Sequence, residues 1–97
     1  MVVERAEIAI KPGMMAEFLT MFREQAMPLA EHYTGCLSFR ALRGVEHPDH
    51  VMFLAEWTSI EAHLASRPEP AHVEFRNLVL PYVDHPIGTE HYEEIRE

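Results

Sequence analysis

Residues Val51–Trp57 alternate in a two-residue period, yet both sides of the alternation are apolar. Val51, Phe53, Ala55 and Trp57 fall on one face; Met52 and Leu54, with Glu56, fall on the other. Such a strand has to be covered on both faces, which excludes a sheet with one side left to water. The chain then turns directly into a helix. Thr58 or Ser59 can cap it, and Glu56 and Glu61 flank its positive end. Ile60 and Leu64, with His63 beside them, are expected on one helical face. A buried strand that hands a Trp straight to a helix makes a pocket wall.

The remaining elements follow in order. Val2–Lys11 reads as a first strand, with Ala6, Ile8 and Ile10 alternating with Glu7, Ala9 and Lys11. Pro12-Gly13 stops it. From Met14 to about Glu31 the period becomes helical, with Met15, Phe18, Leu19, Phe22, Ala26 and Leu29 in one stripe. Pro28 predicts a kink or an early end of the regular helix. Cys36–Arg43 reads as a second strand, and GVEHPDH as the turn of a hairpin into the third. The helix after Ser59 is broken by the two prolines of SRPEP and resumes over about Ala71–Leu80. DHPIG is expected to be a turn, with a last strand over Thr89–Ile95 that puts His91 and Tyr92 on opposite faces.

This order is βαββαβ, a ferredoxin-like α+β domain spanning residues 1–97. Two helices packed on one face of a four-stranded antiparallel sheet leave the other face bare. Because the second and third strands are apolar on both sides, a second copy is expected to cover that face, sheet against sheet, giving a homodimer with two-fold symmetry. With 16 acidic against 8 basic side chains, the formal net charge is -8, which argues against a nucleic-acid or anionic-membrane partner. A single cysteine, Cys36, excludes an intramolecular disulfide framework. The charged start, MVVERAEIAI, lacks the pattern of a signal peptide or membrane span, so a cytoplasmic location is expected.

The runs IAIKPGMMAEFLTMF, GCLSFRALRG and VMFLAEWTSIEAHLAS, followed by AHVEF, resemble the antibiotic biosynthesis monooxygenase domain, over nearly the whole chain to HYEE. The resemblance implies a dimeric α+β barrel. It also implies a cofactor-independent monooxygenase that oxidises a small aromatic phenol or quinol with dioxygen. The alternative is a non-catalytic small-molecule-binding or dimerisation module of the same fold. A haem-degrading branch of relatives uses an Asn on the first strand and a Trp and a His on the second helical region. The matching positions here are near Ala6, near His63 or Leu64, and at His72, so two of the three depart from that pattern.

The residues supply candidates for such chemistry. Trp57 could stack on a planar substrate, besides serving the core or an interface. His72, where a helix restarts after SRPEP, is a candidate base for a phenol proton, and His63 is a second. Phe39, Phe53 and Phe75 could line an apolar chamber, and Arg40 could hold an anionic substrate group. His91 could face the cavity or water. His47-Pro-Asp-His50 lies in a turn without further ligands at metal-site spacing, so no metal is expected, and no cofactor. Cys36 reads as a buried thiol rather than a nucleophile.

Overall fold

The alternation of the N-terminal residues becomes strand β1 (Val2–Ile10), which Pro12-Gly13 ends. Gly13 sits at φ +78, in the left-handed region that favours glycine. The computed structural model describes residues 1–95. Helix α1 (Met15–Met21) follows, and its inward stripe buries Phe18 and Met21. Ahead of Pro28 the regular helix gives way at Met21 to a π turn, Phe22–Ala26, and resumes as α2 (Met27–Ala30). Pro28 has no N–H to donate back and its ring crowds the preceding turn; a widened turn accommodates both.

Strands β2 (Cys36–Arg43) and β3 (His50–Trp57) form the expected hairpin. Helix α3 (Ile60–Ser66) is capped by Ser59, whose side chain accepts a hydrogen bond from the Ala62 amide at 3.0 Å. Helix α4 (Pro70–Val79) begins with a proline at its first turn, where no donor is missed. A 3₁₀ turn, Leu80–Tyr82, leads into β4 (Val83–Tyr92). The sheet order is β2-β3-β1-β4, antiparallel throughout, with helices on one face: the ferredoxin-like arrangement.

Register fixes which side chains face the helices. Ala6 pairs with Phe53 and Ile8 with Val51, so these four point to the helical side together with Glu4 and Ala55. Phe22 stacks on Phe53 at 5.6 Å and meets Phe75 edge-on at 5.9 Å, tying the helix interrupted by the π turn to the sheet and to α4.

Two expectations are corrected. The last strand begins at Val83, not Thr89, and DHPIG lies within it rather than forming a turn. β4 is an edge strand, and its pairing with β1 shifts register between Glu7 and Ile8 and again between Ala9 and Ile10. Pro86 falls between these shifts, where an edge strand tolerates a missing donor. On α3, Ile60 and Leu64 are exposed, at 41% and 52%, and do not share the buried face with His63. The inward side of α3 belongs instead to His63 and Ser66, each supplied with hydrogen-bond partners. No helix among the described residues is long and apolar enough to cross a membrane.

Candidate functional site

Between the helical side of the sheet and helices α3 and α4 lies a cavity of about 300 Å³. Its apolar walls are Ala6 and Ile8 of β1, Phe39 of β2, Phe53 of β3 and Phe75 and Val79 of α4. Phe39, Phe53 and Phe75 contact one another with ring centres 5.5–5.7 Å apart. The three phenylalanines picked out from strand and helix spacing therefore do meet in one chamber.

One end of the cavity is built from four rings in near-parallel planes. Trp57, fully buried at the end of β3, stacks on His63 at 4.7 Å. Tyr33, in the connection before β2, stacks on His72 at 4.4 Å. The two stacks lie side by side, with Tyr33 6.0 Å from Trp57 and His63 6.1 Å from His72. Trp57, His63 and His72 are thus brought together as the sequence suggested. Arg40 is not: it pairs with Leu54 on the face of the sheet away from the helices, exposed and outside the cavity. Past the register shift between Cys36 and Ser38, alternation along β2 puts Phe39 inward and Arg40 outward.

Hydrogen bonds fix the orientation of these rings. Glu4 of β1 reaches into the cavity wall, and its Oε1 accepts from the Trp57 indole N–H at 2.9 Å. The same oxygen lies 3.4 Å from His63 Nε2. His63 Nδ1 is 2.7 Å from His91 Nε2 on β4. A neutral His63 that donates from Nε2 toward Glu4 accepts at Nδ1 from His91. Burial lowers the proton affinity of His63 below the ordinary histidine range, against the opposing pull of the Glu4 carboxylate.

Ser66 ties the two histidines together. Its hydroxyl donates to the His63 carbonyl at 3.1 Å, and its oxygen lies 2.9 Å from His72 Nδ1. With the serine proton spent on the carbonyl, His72 donates from Nδ1 and keeps a lone pair on Nε2. Nε2 has no hydrogen-bond partner among the described residues. Burial, then the charges of Arg76 and neighbouring groups, push His72 down to about 4, so it is neutral at pH 7. The Tyr33 hydroxyl is buried without a hydrogen-bond partner among the described residues. Burial also drives its phenol well above the usual range, with Cys36 and Glu4 adding to the effect.

The sequence reading missed Glu4, Tyr33 and Ser66. Glu4 carried a signal, a carboxylate continuing the inward alternation of Ala6 and Ile8 on a central strand. Ser66, three residues after His63, shares its helical face. Tyr33 lies outside any periodic segment and carried none. His91, left open from the sequence, turns toward His63. His47, in the β2–β3 turn, stacks at 4.8 Å on His50, the first residue of β3, and among the described residues no group of three or more possible ligands could hold a metal ion. Cys36 donates to the Ser38 carbonyl, and burial raises its thiol.

The family model described as antibiotic biosynthesis monooxygenase matches residues 1–78. A solved structure from Bordetella bronchiseptica, named for that family, is 26% identical. It superposes with a TM-score of 0.86, covering 98% of this chain and 97% of that one. Another so named, from Chloroflexus aurantiacus J-10-fl, is 19% identical with a TM-score of 0.79, covering 99% and 94%. A conserved protein from Methanosarcina mazei Go1 shares the fold at 17% identity and a TM-score of 0.81, covering 97% and 92%. No curated protein matches the chain.

Proposed function

Because the chain belongs to the antibiotic biosynthesis monooxygenase family, we propose that it oxidises a small aromatic phenol or quinol with dioxygen and without a cofactor. The observation that carries this reading is His72: a neutral imidazole, fixed by Ser66, with an unengaged nitrogen in the wall of an apolar, aromatic-lined cavity. Such a base can take the proton of a bound phenol, and the resulting anion is electron-rich enough to reduce dioxygen. For an anthrone, one oxygen atom ends in the new ring carbonyl and the other in water. All four electrons come from the substrate. The chain's own contribution is orientation, exclusion of water and one base. Trp57 and the three phenylalanines hold the ring system; His63, occupied by Glu4 and His91, supports Trp57 and is the lesser candidate as base.

Oxygen uptake with a panel of anthrones and hydroquinones in metal-free buffer tests the reading. Turnover above the protein-free rate is expected, falling by about 10²-fold or more in His72→Gln. Turnover that His72→Gln leaves intact overturns the assignment of the base. A protein that binds such aromatics without any uptake is the non-catalytic binding module instead. Haem degradation is the weaker reading: Ala6 presents only a methyl group to the cavity where that branch of relatives carries an Asn. Titration with haemin should then give no Soret shift.

Two copies are proposed to pair through the face of the sheet that carries no helices. In support, Leu42, Met52, Leu54 and Tyr92 lie together on that face with part of their surface open to water.

A further inference from the structure

The cavity is apolar along most of its wall, but two cations stand at its edge. Arg67, just after α3, and Arg76, on α4, both line it. Arg76 Nη1 donates to the Arg67 carbonyl at 3.1 Å, which holds the two residues at the same rim. Neither has a carboxylate within ion-pair distance among the described residues. The one carboxylate in the cavity wall, Glu4, is already occupied by the Trp57 N–H and faces His63. A second feature is independent of the arginines. The Tyr33 hydroxyl is buried in this same wall with no partner, and such a group signals a missing acceptor.

We propose that the ligand is a planar aromatic acid, its rings among Phe39, Phe53 and Phe75 and its carboxylate at the rim with Arg67 and Arg76. This builds on the phenol-oxidising reading and adds the charge of the substrate. The guanidinium fork matches a carboxylate in two parallel hydrogen bonds. Oxygen acceptors on the ring system answer Tyr33. A neutral aromatic of the same shape fills the chamber but leaves the two cations unanswered.

Calorimetric titration with 2-naphthoate and with 2-naphthamide, its neutral isostere, tests this. The acid is expected to bind at least about tenfold more tightly. In the Arg67→Gln, Arg76→Gln double variant the two should bind within about twofold, the loss falling mainly on the acid. Circular dichroism checks folding. Should the double variant not fold, each single variant is expected to lose about threefold of the preference. Equal affinities in the parent chain, a preference that survives the substitutions, or binding of neither compound overturns the proposal. Oxygen uptake on a naphthohydroquinone with and without a carboxylate separates the two readings. A naphthoate preference with no uptake sinks the oxidation and leaves the acid site. Uptake indifferent to the carboxylate, with no binding preference, does the reverse.

Discussion

Glu4 serves two aromatic neighbours with one oxygen: it accepts from the Trp57 indole N–H and faces His63 Nε2. Trp57 is fully buried, so Glu4→Ala strands an indole donor away from water. That should cost about 1–3 kcal/mol, whereas Glu4→Gln, which keeps an acceptor in place, should cost less. Urea denaturation followed by Trp57 fluorescence measures both, since the chain has a single Trp. His72 supplies a pH prediction. Its proton affinity falls from the ordinary 6.5 to about 4 in the fold, through burial first and Arg76 second. Between those pH values the unfolded chain binds the proton and the folded chain does not. Stability is therefore fully present above about pH 6.5 and is lost as pH falls toward 4, by at most about 3 kcal/mol for this group. His72→Gln should flatten that window, leaving a smaller slope from His63, whose affinity is lowered in the same direction. A slope unchanged in the variant would place the titration elsewhere. At this scale Trp57, His63 and His72 were legible because a lone Trp and histidines near helix starts stand out from their surroundings. Tyr33 and Ser66 were not, because their roles depend on rings and carbonyls brought together only by folding.

The close approach of α3 to the start of β2 depends on one glycine. Gly35 sits at φ +80, and a Cβ there would lie 2.9 Å from the Ala62 Cβ on α3. Its carbonyl also accepts from the Thr58 amide at 3.0 Å, joining the strand start to the β3–α3 turn. Gly35→Ala therefore meets both a disfavoured backbone conformation and a clash with a helix that carries His63 and Ser66 inward. A loss of about 1–3 kcal/mol is expected, seen as a fall in Tm of several degrees. Ligand affinity should drop with it, because α3 forms one wall of the ring box. Element types were readable wherever one period dominated, as in β1, β3 and the stripe of α1. β4 was not, since His85, Pro86 and Gly88 read as punctuation, and only its edge position and shifted pairing with β1 let them stay in a strand. The exposure of Ile60 and Leu64 was hidden for a different reason. Apolar periodicity points inward by default, but the buried side of α3 is given to polar groups with dedicated partners.

At the scale of the molecule, the open face of the sheet has to be reconciled with water. It carries Leu42, Met52, Leu54 and Tyr92 beside a set of charges, with Arg5 bridging Glu7 and Glu90 and Ser38 donating to Glu56. Burying such a face against a copy of itself removes the apolar surface from water. The charges set the cost, and here most of them are already paired within the subunit, which limits the desolvation still to be met. A stable interface needs roughly 800 Å² from each partner. Sedimentation at micromolar concentration should therefore give the mass of two chains. Met52→Glu sets a carboxylate directly opposite Glu7 on that face and should shift the protein to one chain, with its helical cavity intact. A parent protein that sediments as a well-folded single chain would remove the dimer. It would not touch the cavity, which lies on the opposite, helical side of the sheet. The two halves of the proposal can thus fail separately: the covered sheet face depends on residues whose side chains alternate away from those that bind the ligand.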